Sequence, residues 1–258
     1  MSNQFREIWQ YRDFFHQLVL QQLRQRYQSS ILGFLWTLLN PLLTYVSFCL
    51  VFSYVNHWDL REYGIYFFSG YMAWTFFAAA IGMAADSIVF HSSYVTRVYI
   101  PKAILPLACV AVCSVDLAAS FAVLGVVMWV LGAHLSMAML ILPVSAALLV
   151  IFVTGVGLLA AMWTVFFRDF RHFLNSILFI WFFFCPILYR LTVVPERARF
   201  YFSLNPMNPF INLFQMPISA SKLPAASDLI VSASLALAAL ILGFVWFHRS
   251  ESRFYYYV

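Results

Sequence analysis

The stretch FHSSYVTRVYIPKAILP, Phe90 to Pro106, decides how the chain is read. Long apolar runs flank it, and it is too polar to continue the run before it and too short to fold alone. Arg97 and Lys102 mark it as a cytoplasmic connector between two membrane spans. Pro101 and Pro106 stop and restart the chain around it. An amphipathic connector held in this way is a natural docking knob for a soluble partner. The same residues also make a plain loop anchored by two prolines, and at this point both readings stand.

Composition narrows the class. Of 258 residues, 64% are hydrophobic, 19% aromatic and 10% charged, and the mean hydropathy is +0.84. That balance fits a polytopic membrane protein and no soluble domain of this size. The formal charge of +5 is spread over short connecting segments, which argues against a nucleic-acid partner. Cys49, Cys109, Cys113 and Cys185 all lie inside apolar runs with no polar ligand set, so they read as small buried hydrophobes and not as disulfides or zinc ligands. No metal site is expected. The polar first thirty residues, with Arg6, Arg12, Arg24 and Arg26, argue against a cleavable signal peptide.

The pattern predicts an all-α membrane protein of six spans in a single transmembrane domain. Residues 4–30 carry Phe14, Phe15, Leu18, Val19 and Leu23 at helical spacing and read as an interfacial amphipathic helix. Spans are expected at 32–55, 63–90, 104–131, 137–167, 173–189 and 229–247, with a connector at 91–101. Ten Lys and Arg fall on the side holding both termini, the connector and the 168–172 loop, and five on the other, so both termini are expected in the cytoplasm. No internal repeat is visible.

Little points to an enzyme. No GxxxxGK[ST], HExxH or GxSxG run occurs. Asp86 and Asp116 lie within spans, where an acid costs about 2.5–3.5 kcal/mol at a helix centre and so faces the bundle interior or water. They read either as a proton or cation site or as structural hydrogen-bonding positions, with no basic residue deep in the spans to partner them. Thr37, Asn40, Thr44 and Ser47 share one face of the first span, beside an aromatic row of Tyr45, Phe48 and Phe52. Phe179, Trp181, Phe182, Phe183 and Phe184 crowd the fifth span near Pro186. Aromatic faces suit sugar rings, and they equally suit lipid. In LNPMNPFINLFQMP, Leu204 to Pro217, two Asn-Pro steps cut an apolar outer loop into short re-entrant pieces, either an external gate or a packing cap.

Five stretches together carry a resemblance: LRQRYQSSILGFLWTLLNPLL (23–43), YFFSGYMAWTFF (66–77), VTRVYIPKAILPLA (95–108), FFRDFRHFLNSILFIWFFFCPILY (166–189) and LNPMNPFINLF (204–214). In this order and spacing the chain resembles the permease subunit of type-2 ABC exporters for lipid-linked polysaccharides such as O antigens, capsules and teichoic acids. The resemblance implies a homodimer of six-span subunits in the inner membrane, driven by two copies of a separate ATPase that binds the ATP and Mg. This chain would hold no cofactor. Partners would be a second copy, the ATPase, a lipid-linked polysaccharide and membrane lipids. ATPase coupling would fall on His91, Ser92, Ser93, Tyr94, Val95, Thr96, Arg97, Val98 and Tyr99, with Arg24 and Arg26 of the N-terminal helix. HSSY ahead of Arg97 departs from the usual pattern of the connector. Trp36, Tyr45, Phe48, Phe52, Phe179, Trp181 and Phe183 would line the glycan path. The gate would lie in 195–217, on Asn205, Pro206, Asn208, Pro209 and Phe210. Rival expectations are export of a drug or lipid and, from another class, a proton-coupled transporter using Asp86 and Asp116.

Overall fold

The computed structural model describes residues 9–28, 32–33, 35–56, 59–97, 100–133 and 136–257. All regular elements among them are helical. In chain order these are α1 (Arg12–Tyr27), α2 (Leu35–Asn56), α3 (Leu60–Phe90), α4 (Ser92–Arg97), α5 (Ile104–Val130), α6 (Leu142–Phe166), α7 (Phe170–Phe183), α8 (Glu196–Ser203), α9 (Met207–Ser219) and α10 (Ala226–Glu251). Short 3-10 turns at Met137–Ile141, Leu191–Val193 and Phe254–Tyr256 complete the list.

Five of the helices are long and apolar enough to cross a membrane: α2, α3, α5, the continuous Met137–Phe166 segment containing α6, and α10. The third helix is the hub, packing on α2, α5, α6, α7 and α9. Asp59 starts it by accepting from the Arg61 N–H at 3.4 Å. At its far end the His91 N–H reaches Ser87 O at 3.2 Å. Phe67, Phe68, Phe77 and Ile81 are buried along its length.

The fifth expected span is shorter than its apolar run. Helix α7 has 14 residues and stops at Phe183, not at Tyr189. At about 1.5 Å per residue it measures about 21 Å, less than a hydrocarbon core of about 30 Å. Pro186 is the physical reason, since it has no N–H to donate and disfavours helix in the residue before it. The turn that replaces the helix is well satisfied. Pro186 O accepts from the Tyr66 hydroxyl at 2.7 Å and from Gln215 Nε2 at 3.1 Å. Tyr66 OH also lies 3.0 Å from Tyr189 O, and Phe184 O accepts from Asn205 Nδ2 at 3.0 Å. Irregular backbone among apolar helices persists only where its polar groups are paired in this way.

Helices α6 and α10 are pressed together at their backbones. A Cβ at Gly155 would overlap the backbone of Ala239 and Leu240, and one at Gly243 would overlap Gly155. Small residues that let backbones touch are how apolar helices gain dispersion contact without a hydrophobic drive between them. A second cluster gathers Leu18 of α1, Ile88, Ile104, Leu105, Met162, Phe247 and Phe254 at the connector end. There Lys102 donates its backbone N–H to Glu251 Oε1 at 3.1 Å and its ammonium to Glu251 O at 2.8 Å. The C-terminal turn is thereby tied to the connector.

Candidate functional site

An aromatic row runs between α2, α3 and α7. Phe48 stacks on Phe67 at 5.1 Å and on Phe52 at 5.8 Å, and Phe52 stacks on Tyr63 at 6.5 Å. Phe67 stacks on Tyr71 at 5.0 Å, and Tyr71 meets the edge of Phe182 at 6.4 Å. Trp181 closes the row edge-on against Trp74 at 6.0 Å and Phe77 at 5.3 Å. The helical periods of α2, α3 and α7 bring these rings to one seam. Of the residues expected on a glycan path, Phe48, Phe52 and Trp181 meet there. Tyr45 is buried edge-on against Phe68 at 5.5 Å, on the neighbouring face. Phe179 and Phe183 pair with each other at 5.5 Å on the outward face of α7, where both are exposed. The contribution of α3, from Phe67, Tyr71, Trp74 and Phe77, was missed. The stretch YFFSGYMAWTFF displays these rings openly, but nothing in it says which face meets α2 and α7.

A mostly apolar cavity of about 450 Å³, with a few polar side chains in its wall, lies behind α2, bounded by α1, α3 and α5. Thr37, Asn40 and Thr44 face it, as their shared helical face foretold. Ser47 does not line it and donates instead to Leu43 O at 2.8 Å. Trp36 and Tyr71 supply aromatic walls, and Tyr71 therefore belongs both to this cavity and to the aromatic row. A second cavity of about 520 Å³, lined by Gln22, Gln25, Asp86, Phe90 and His91 among others, sits nearer the connector.

Each cavity has an ion pair at its wall. Arg26 meets Asp116 at 2.5 Å, and Arg171 meets Asp86 at 3.1 Å. No base lies deep in the spans, yet both acids are paired. The bases come from flanking segments and not from the spans. Helix α1 packs against α5: Cys109 Sγ donates to Gln22 Oε1 at 3.8 Å, and one turn on along α1 Arg26 reaches Asp116 and also Met83 Sδ at 3.2 Å. Arg171 comes from the first turn of α7 and also lies 5.4 Å from the Phe90 ring. Pairing offsets the cost of placing a carboxylate among apolar helices. All four cysteines are buried and free.

The connector contains a short helix, α4. Tyr94 packs edge-on against Phe14 of α1 at 5.8 Å and lies 6.0 Å from the His91 ring, so connector and N-terminal helix form one surface. Ser92 is half-buried and Ser93 exposed. The side chains of Val95, Thr96 and Arg97, and all of Val98 and Tyr99, lie outside the described residues. Arg24 and Arg26 are both exposed in the last turn of α1, and Arg26 pairs with Asp116.

The residues expected at a gate join the row through Asn205. Its Oδ1 accepts from Trp181 Nε1 at 2.8 Å and from the Met207 N–H at 3.0 Å. The Asn208 side-chain amide donates to Phe202 O at 2.5 Å. Phe210 is fully buried and stacks on Phe152 at 4.7 Å. Pro206 precedes α9 and Pro209 sits in its first turn, where a missing N–H costs nothing.

A family model described as ABC-2 type transporter matches residues 14–218. The chain is 31% identical over 252 residues to the O-antigen export system permease protein RfbA of Myxococcus xanthus, which covers 96% of this chain and 95% of that protein. It is 27% identical over 190 residues to the O-antigen export system permease protein RfbA of Klebsiella pneumoniae, across 73% of each chain. A match that runs from α1 through α9, on a bundle of membrane-length helices, places the chain in the ABC-2 type transporter family as a multi-pass transport subunit.

Proposed function

We propose that the chain is the channel-forming permease subunit of an ABC transporter that exports a lipid-linked polysaccharide of the O-antigen type across the inner membrane. The carrying observation is likeness along almost the whole chain to a permease named for O-antigen export. Two copies pair, each with six crossings. The fifth crossing is α7 continued by the paired turn to Arg190, and α8 and α9 are re-entrant elements that gate the outer mouth. Both termini lie in the cytoplasm, as the ten-to-five distribution of Lys and Arg supports. The interfacial α1 and the connector α4 together receive a separate ATPase, which binds ATP and Mg. The edge-on contact of Phe14 with Tyr94 supports a shared docking surface. Motion of the ATPase passes through α4 into α3 and through α1 into α5. The aromatic row offers sugar rings apolar faces along the way.

The test is deletion of the gene, followed by fractionation of lipid-linked glycan and complementation with Tyr94→Ala. Deletion should trap full-length polymer inside the cell. Tyr94→Ala should leave the protein folded and ATP hydrolysis running, with surface glycan reduced about tenfold or more, since uncoupling removes a step that differs between states. Normal surface glycan in the deletion strain rejects the reading in favour of drug or lipid export.

A further inference from the structure

We propose that the turn Phe254–Tyr256 is a third element of the surface that receives the ATPase, beside α1 and α4, with Tyr255 and Tyr256 as its contact residues. The existence of that partner rests on the export reading; its reach onto this turn does not. The turn is pinned on several sides. Phe254 is fully buried, edge-on to Phe247 at 5.2 Å and to Phe166 at 5.8 Å. Glu251, just before it, is held by the backbone N–H and the ammonium of Lys102, and that ammonium lies 5.8 Å from the Phe254 ring. Tyr257 closes the turn edge-on to Phe166 at 5.1 Å. Between these fixed residues Tyr255 is 61% exposed and Tyr256 82% exposed, their rings paired edge-on at 6.0 Å. A fixed backbone that holds two large rings outward has little freedom to lose on binding, and tyrosine is among the residues that dominate binding energy.

The place of the turn names its partner. It packs on α4. Phe254 also belongs to the buried cluster against which Phe14 of α1 and Tyr94 of α4 rest, so the three elements form one continuous surface. A stable interface draws about 20–30 residues from each side. Helix α4 has six residues, and α1 exposes one face. A partner seated on those two alone falls short of that size and extends onto the turn that adjoins α4. Exposed tyrosines also suit the membrane–water interface. Contact with α4 is what favours the ATPase over lipid headgroups here.

The test puts the photo-crosslinking residue p-benzoylphenylalanine in place of Tyr256, of Ser93 on α4, and of Trp129, exposed at the far end of α5. The full chain is expressed together with the tagged ATPase subunit of the same export system. Crosslinks to the ATPase should form from Ser93 and from Tyr256, and none from Trp129. With the full chain in phosphatidylcholine nanodiscs, Tyr255→Ala/Tyr256→Ala should weaken binding of the purified ATPase about tenfold. Phe254 stays in place as the buried anchor, so the variant keeps its fold, and Trp129→Ala should bind as the wild type does. A crosslink from Ser93 with none from Tyr256, or with lipid adducts alone from Tyr256, overturns the inference and leaves the docking of an ATPase on α4 standing. Unchanged ATPase binding in the double variant overturns it as well. Silence at both Ser93 and Tyr256 removes the α4 docking reading, and the role of this turn with it.

Discussion

Asn205 shows how much one side chain can hold. It joins Trp181 on α7 and Phe184 just past its end to the first turn of α9, so the aromatic row and the outer segment share a single amide. Asn205→Ala should lower stability by about 2–3 kcal/mol, because four hydrogen bonds go and the half-buried Trp181 N–H loses its partner. Thermal unfolding followed by tryptophan fluorescence checks it, and a shift no larger than that of a surface substitution counts against the role. The sequence marked Asn205 only as half of an Asn-Pro step. Its partner, 24 residues earlier, is decided by how α7 ends. Asp86 and Asp116 were legible as acids that need company. Their company was not, because Arg26 and Arg171 lie in segments whose charge reads equally well as facing water.

Among the elements, hydrophobic run length located four of the five long helices to within three residues at each end, since a membrane enforces length directly. It failed at α7, where apolar composition continues past the point at which Pro186 and the side chains of Tyr66, Gln215 and Asn205 take over the backbone. Composition measures partition into lipid, not the hydrogen bonding of a turn hidden in protein. The α6–α10 contact was equally silent, because a glycine in an apolar run carries no sign of what approaches it. Gly155→Val should cost about 3 kcal/mol or more through overlap with the Ala239 backbone, whereas Gly82→Ala, whose Cβ meets nothing within 4 Å, should be neutral or stabilising by up to about 1 kcal/mol. Melting temperatures of the two purified variants decide it.

At the scale of the molecule, the outward faces of α2 and α7 remain apolar and uncovered, with Leu43, Leu50, Val51, Phe179 and Phe183 all exposed. In a pair of subunits meeting along these helices, Phe179→Cys should form a disulfide-linked dimer under mild oxidation in native membranes. Cysteine at Ile230 on α10, also exposed, should not. Equal yields at both positions would argue against this face. The same long view bears on how the chain is made. Arg26 and Asp116 are 90 residues apart in sequence. At synthesis rates of about 5–20 residues per second, the arginine is exposed for roughly 5–20 seconds before its acid leaves the ribosome. Helix α1 therefore waits at the membrane surface until α5 has been inserted, and seating it is a late event in biogenesis. A nascent chain halted before residue 116 is an unfinished subunit with a loose N-terminal helix, open to quality-control proteases until translation resumes.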